Sequence, residues 1–317
     1  MNIDVFNGDA DGICSLLQLR LAYPRESKLV TGVKRDIGLL SRVVAESGDE
    51  VVVLDVSLDR NRDALMRLLV NGVEVFYMDH HFSGEIPSHP GLKAAIDTGA
   101  NVCTSLLMDR FLGSRYTAWA ITGAFGDNLE PVASEAAKTL NISARELHDL
   151  KQLGICINYN AYGNDICDLH IAPDLLYKEL IGYRSPLEFI GDKPQLYEQL
   201  LDGYAQDMLS AAQIEACFET DSIAVFMLPD EKWARRVGGV WANELANRRP
   251  DRAHAILSRN RNGGFQVSLR APLNNKTGAD ELCRQFHGGG RKAAAGIDNL
   301  CEENIGDFIL ALQAKYP

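Results

Sequence analysis

The sequence predicts an α/β chain of two domains, the first with a mostly parallel sheet and flanking helices, the second smaller. Three short segments rich in Val, Phe or Tyr, NIDVF (2–6), EVVVLD (50–55) and VEVFYMD (73–79), end in a polar break, as buried strands do. Between them, ICSLLQLRLAY (13–23) and RNRDALMRLLVNG (60–72) carry apolar residues at helical spacing, the second stopping at a glycine. Strands alternating with helices indicate a parallel sheet covered on both faces. After the DSIAVFMLPD run (221–230) a new β-rich pattern begins.

Along the chain, KAAID (93–97) extends the strand set, and GANVCTSLLMDRFLG (99–113), YTAWAITGAFGDN (116–128) and ASEAAKTLN (133–141) read as helices and connections. QLYEQLLDGYAQDMLSAAQIEACF (195–218) is a long helical stretch able to link two domains. Beyond it come a helix in VGGVWANELANRR (237–249), a hairpin turning at Gly263-Gly264, and a closing helix in ENIGDFILALQAKY (303–316). The boundaries expected are 1–185 for a metal-binding catalytic domain, 186–219 for a helical linker and 220–317 for a substrate-binding domain.

The 317 residues, 46% hydrophobic and 24% charged, suit two ordinary globular domains. No apolar run reaches the roughly 18 residues that span a bilayer, and MNIDVFNG lacks the basic-then-apolar order of a secretory signal. Seven cysteines without a Cys-x-x-Cys pair speak against a disulfide framework or structural zinc, so a reduced, cytoplasmic setting is expected, with no membrane partner. The net charge of −11 is uneven. Residues 1–220 hold 18 Lys and Arg against 32 Asp and Glu, whereas residues 232–292 hold 13 against 4. An acidic front suits metal cations and a basic back an anionic substrate.

The carboxylates define the chemistry. In open α/β sheets ligands sit outside the carboxyl ends of strands, and Asp9, Asp11, Asp55 and Asp79 all fall there. With His80, His81 and Asp127 they form an oxygen-rich set with some imidazole nitrogen, which suits Mn²⁺ and related divalent ions better than zinc. A strand-end carboxylate can bridge two ions about 3.5–4 Å apart, the arrangement that serves in-line attack on phosphorus.

In NGDADG (7–12), Asp55, DHH (79–81), GDN (126–128) and the later GGGRKAAAG (288–296), the chain resembles the DHH phosphoesterases with a DHHA1 second domain. That pairing belongs to the branch of RecJ-like exonucleases, nanoRNases, pAp phosphatases and cyclic-dinucleotide phosphodiesterases. The resemblance implies one ion on Asp9 and Asp55 and another on Asp11, Asp55, His80 and Asp127. It places His81 beside the scissile phosphate, with Asp79 orienting a histidine. Asn7 stands where the family usually has a histidine ligand and is carried as a weaker, neutral one, and Arg291 stands where the glycine motif commonly has His. The two ions implied are Mn²⁺, with Mg²⁺ as the alternative.

Gly288, Gly289 and Gly290 allow backbone N–H groups to approach an anion, Arg291 and Lys292 add two cations, and RKAAAG reads as the start of a helix favouring negative charge. His287 joins this set as a substrate contact; His89, His148, His170 and His254 read as structural, and Lys34-Arg35, after the strand-like KLVTGV (28–33), as surface, with the cleft as the alternative. The function expected is hydrolysis of phosphodiester or phosphomonoester bonds in short oligonucleotides, dinucleotides or nucleotide phosphates, with substrate held across a cleft between the domains. Long duplex DNA is not the expected substrate, given the acidic front half and no further nucleic-acid-binding module readable in the sequence. A polyphosphate or small-phosphate hydrolase and a non-catalytic nucleotide-binding regulator are the alternatives. A homodimer is compatible with the sequence, which does not fix the oligomeric state.

Overall fold

A computed structural model describes residues 1–260 and 263–317, and the chain divides into two compact units, Met1–Tyr204 and Ala205–Pro317. In the first unit, strands β1 (Asn2–Phe6), β2 (Lys28–Val30), β3 (Glu50–Leu54), β4 (Glu74–Asp79) and β5 (Leu92–Ile96) form one sheet in the order β2-β1-β3-β4-β5. Every neighbouring pair is parallel, as the alternation of strands and helices predicts. The register matters most for function. Phe6 lies opposite Leu54 and Leu54 opposite Met78, so Asn7, Asp55 and Asp79 leave the sheet in one row at one edge.

Alternation along the strands assigns side chains to two cores. Val51 and Val53 join Ile3, Val5, Leu65 and Tyr77 on one face, whereas Val52 and Leu54 join Phe6, Leu17 and Trp119 on the other. Helix α1 (Ala10–Ala22) is buried from Ala10 to Arg20, and α2 (Leu58–Val70) covers the opposite face through Leu65, Leu68 and Leu69. Helices α3 (Thr104–Phe111), α4 (Thr117–Gly126), α5 (Glu130–Ala137), α6 (Ala144–Asn160), α7 (Pro173–Leu180) and α8 (Pro186–Asp192) complete the unit. Helix α9 (Pro194–Ala211) contains the division between the units and stops before the Phe218 expected from its apolar pattern.

The second unit has a six-stranded sheet of β6 (Phe218–Glu219), β7 (Ile223–Met227), β8 (Ala253–Arg259), β9 (Phe265–Arg270), β10 (Gly289–Arg291) and β11 (Ala294–Leu300). Its order is β10-β11-β9-β8-β7-β6, and only β7 and β8 run parallel. Helix α10 (Lys232–Arg248) packs Val237 and Trp241 with Ile256, while α11 (Ala279–Gln285) and α12 (Ile305–Lys315) pack Leu282, Phe308 and Leu312 with Val225, Leu257 and Val267. The expected β8–β9 hairpin is present; residues 261–262 of its turn lie outside the described residues.

One expectation is corrected here. RKAAAG does not open a helix: Arg291 ends β10 and Ala294–Gly296 begin β11, which pairs with β9. Alanine's helical propensity is a weak preference, and burial of Ala295 and Ile297 against β9 overrides it. Gly290, at φ 142°, adopts a conformation that side chains rarely allow.

Inside the first unit, Asp4 is fully buried and accepts hydrogen bonds from Arg20 Nε at 2.8 Å, Arg20 Nη2 and Ser27 Oγ. Asp4→Ala leaves Arg20 uncompensated and is expected to destabilise the chain by about 3–5 kcal/mol in urea unfolding; a change below about 1 kcal/mol would show that the pair is solvated.

Candidate metal centre

The row of strand ends gathers Asn7, Asp9, Asp11, Asp55, Asp79, His80 and His81, and Asp127 arrives from the C-terminus of α4. Asn7, Asp9, Asp55, His80, His81 and Asp127, with Lys34, line a hollow of about 120 Å³. The NGDADG turn is tight enough that a side chain at Gly12 would meet the Asn7 carbonyl oxygen at 2.2 Å. Asp9 caps α1, accepting from the Gly12 N–H at 3.1 Å. Asp11 accepts from the backbone N–H groups of Thr104 at 2.7 Å and Ser105 at 2.8 Å, so both its oxygens are fixed at the start of α3. Asp55 has φ 58° in a buried position and accepts from Thr104 Oγ1 at 3.2 Å. Non-glycine residues held at positive φ cluster at functional sites, and Asn128, beside Asp127, is another at 63°.

The two histidines are oriented differently. His80 Nδ1–H donates to the Val102 carbonyl at 2.9 Å. That commitment leaves its Nε2 lone pair toward Asp55 at 3.5 Å, Asp127 at 3.7 Å and Asp11 at 3.9 Å. His81 Nδ1–H donates to Asp79 Oδ1 at 2.7 Å, which leaves its Nε2 available. Asp79 is wholly buried, and its Oδ2 has no hydrogen-bond partner.

Crowding dominates the electrostatics. Burial, then the charges of Asp11, Asp9, Asp79 and Asp127, push the Asp55 carboxyl well above the usual range. Burial and Asp11 raise Asp127 to about 6, against the relief from Lys34. For Asp9, burial acts upward, but the charge and hydrogen bond of Lys34 outweigh it and hold the group low. Lys34, for which the surface was expected with the cleft as the alternative, lines this hollow: its ammonium donates to Asp9 Oδ2 and to Asn158 Oδ1 at 2.8 Å, and lies 3.7 Å from Asp127 Oδ1.

Five carboxylates gather with one ammonium among them, held against Asp9 and Asp127, and His80 Nε2 points toward Asp11, Asp55 and Asp127. Such an oxygen-rich set with one fixed nitrogen fits a hard or borderline divalent cation. Two groups of converging ligand atoms meet the geometry, Asp11–His80–Asp127 and Asp55–His80–His81, and both contain His80.

In the second unit Gly288 to Lys292 lie in the β10 hairpin, with Arg291 and Lys292 exposed. Six of the segment's basic residues, Arg235, Arg236, Arg248, Arg252, Arg259 and Arg284, pair with acids of the same unit. Arg291 and Lys292 have no acidic partner among the described residues, which keeps them available to an anion. His287 is exposed at φ 61°.

The residues missed by sequence reading are Asn158, Val102, Thr104 and Ser105, and Lys34 reads as surface ahead of cleft. Val102 and Ser105 act through backbone atoms, which leave no residue-type signal. Lys34 follows β2, a strand of three residues too short to show a period.

No family model matches the sequence, and no curated protein matches it. Solved structures do match. The exonuclease RecJ bound to manganese is 18% identical with a TM-score of 0.63, covering 100% of this chain and 91% of its own. The DHH domain of a member of a ribosomal protein family is 14% identical with a TM-score of 0.65, covering 99% and 85%. The pGpG-specific phosphodiesterase PggH from Vibrio cholerae is 16% identical with a TM-score of 0.56, covering 99% of both chains. The fold is therefore that of the DHH phosphoesterases, over nearly the whole chain.

In the metal-free protein, burial lowers the affinity of His81 for its proton, but the hydrogen bond and charge of Asp79, with Asp9 and Asp11, overcome this and raise its pKa above 6.5. Asp79→Asn is expected to bring the His81 titration down in histidine NMR spectra recorded with chelator; an unmoved titration would mean that Asp79 does not act on the ring.

Proposed function

We propose that the chain is a divalent-metal-dependent phosphoesterase that hydrolyses phosphodiester or phosphomonoester bonds of short oligonucleotides, dinucleotides or nucleotide phosphates. The observation that carries the reading is His80, whose Nδ1 is spent on Val102 so that Nε2 faces Asp55, Asp127 and Asp11 at 3.5–3.9 Å. The solved relatives support it: one is an exonuclease bound to manganese, another a phosphodiesterase specific for pGpG.

Asp11, Asp55, His80 and Asp127 would hold the ion, Mn²⁺ or Mg²⁺ by donor chemistry. When bound it supplies Lewis acidity to a phosphoryl oxygen and lowers the pKa of water toward about 7. The protein does the rest. Thr104 and Ser105 amides fix Asp11, so no reorganisation is needed as charge develops. His81, its Nδ1–H anchored on Asp79, presents Nε2 to deliver a proton to the departing oxygen. The ammonium of Lys34 lines the hollow and adds positive charge where a phosphate enters.

A nucleotidic substrate is favoured over bare phosphate by the surroundings. Phe82, next to His81, is 73% exposed, an apolar ring suited to stacking on a base. A second hollow of about 420 Å³, lined by Arg35, Arg42, Asp36 and Asn164, shares Asp36 with the metal-lined one. In the second unit, Arg291 and Lys292 are exposed cations without an acidic partner among the described residues, suited to an anion.

Hydrolysis of a linear dinucleotide such as pGpG is expected to require added Mn²⁺ or Mg²⁺, and Asp55→Ala to lower kcat by on the order of a thousandfold or more, since it removes a central ligand. Turnover in excess chelator, or faster hydrolysis of polyphosphate than of any dinucleotide, would contradict the reading.

Arg291→Ala/Lys292→Ala is expected to raise KM for the dinucleotide at least about tenfold, one charge-assisted contact being about 1.5–3 kcal/mol. A minimal aryl phosphate should be nearly unaffected; equal losses on both would reduce the hairpin to a structural turn.

Metal should also stabilise the fold in a pH-dependent way. The raised Asp127 pKa means that the metal-free protein loses stability as pH climbs from 3.8 through about 6, where this carboxyl ionises among like charges. The rise in Tm on adding Mn²⁺ is therefore expected to be larger at pH 7.5 than at pH 5; a Tm shift independent of pH would place the ion elsewhere.

A further inference from the structure

The two-ion arrangement implied by the family resemblance needs ligands around Asp9, and in this chain a cationic side chain already sits on that carboxylate. Asp9 Oδ1 accepts from the Gly12 N–H and Oδ2 from the ammonium of Lys34. Asn7 offers a neutral amide in place of an imidazole, and its Oδ1 accepts from the Asp9 N–H at 3.3 Å. Among the described residues, neither group of converging ligand atoms includes Asp9.

Lys34 is held on that spot from several directions. Its backbone N–H donates to the Ala161 carbonyl at 2.9 Å, and its Nζ reaches Asn158 Oδ1 at 2.8 Å as well as Asp9. Asp127 lies between the ammonium and the His80 pocket, with Oδ1 3.7 Å from Lys34 Nζ and Oδ2 3.7 Å from His80 Nε2. A carboxylate turned to a cationic group on one side and to a ligand pocket on the other is the relation that a bridging ligand has to two metals. Here one of the two positive charges is covalently part of the chain.

We propose that Lys34 stands in for one of the two ions, so that the protein holds a single divalent ion at Asp11, Asp55, His80 and Asp127 beside a permanent ammonium at Asp9. This rests on the metal reading proposed above. A fixed ammonium repels a second divalent ion from the same carboxylate, and Asn7 provides too weak a ligand to overcome that repulsion. Asn7, where the family resemblance implies a histidine, and the ammonium of Lys34 on Asp9 then belong to one arrangement. The lysine supplies charge where the second ion would have met the phosphate, with no dependence on ion concentration.

The test counts ions rather than turnover. Chelator-treated protein is equilibrated with excess Mn²⁺, bound metal is measured by dialysis and elemental analysis, and the electron paramagnetic resonance spectrum distinguishes an isolated Mn²⁺ from a coupled pair. Wild type is expected to bind one ion per chain with the isolated signal. Asn7→His alone is expected to remain at one. Asn7→His combined with Lys34→Ala is expected to bind two, with a coupled signal; Lys34→Gln, which keeps a donor for Asn158 and removes the charge, replaces Lys34→Ala if that variant does not fold. Two ions on wild type, or a second ion on Asn7→His alone, would overturn the proposal. A wild-type protein that binds no Mn²⁺ would instead fail the metal reading itself, a result separable from the other two.

Discussion

Carboxylates brought together out of water repel one another, and burial adds to that cost unless donors or cations compensate it. Asp9, Asp11, Asp55, Asp79 and Asp127 converge at the carboxyl edge of a parallel sheet whose register aligns the ends of β1, β3 and β4. The rest of the first unit is organised around relieving this crowding. Asp9 is relieved by a helix N-terminus and by Lys34, Asp11 by two amides of α3, and Asp79 by His81. Asp55 and Asp127 keep raised affinities for protons, and these are the groups, with His80 Nε2 beside them, for which a divalent cation is the natural counter-charge.

That arrangement links stability to function. A site that is repulsive when empty of cations gains binding energy from the relief of repulsion, and the backbone holding it is correspondingly constrained, with Asp55 at φ 58° and Asn128 at 63°. The stable cores on both faces of the sheet, including the buried Asp4–Arg20 pair, hold that edge in place. In the second unit six of the 13 basic residues in 232–292 are taken up by local ion pairs, so its useful electropositive surface is smaller than the composition of that segment indicates. Arg291 and Lys292 are among those left without an acidic partner among the described residues, and they sit together in the glycine hairpin.

Much of this was legible in the sequence, because most of the carboxylates follow short apolar strands. Asp9, Asp11, Asp55 and the Asp79–His81 run lie at such ends, whereas Asp127 follows helix α4 and is picked out with the motif set of the family resemblance. The sequence leaves Lys34 between the surface and the cleft, since β2 is three residues long and its place in the sheet is set by pairing with β1. Thr104 and Ser105 contribute backbone N–H groups to Asp11, which any residue but proline would supply. The alanines after Arg291 read as helix because propensity is local, whereas their strand is imposed by pairing with β9, more than twenty residues earlier. The free charge of the second unit is smaller than its basic segment indicates for a related reason: Asp207, Glu219, Asp230 and Glu302, which pair with four of its arginines, lie outside that segment.

The account turns on what sits against His80 Nε2, and anomalous diffraction at the manganese edge from crystals grown with Mn²⁺ tests it most directly. The account predicts a peak bounded by His80 Nε2 and the carboxylates of Asp11, Asp55 and Asp127, with His80 Nδ1 still on the Val102 carbonyl. No peak there, or one at a site that excludes His80, would contradict it.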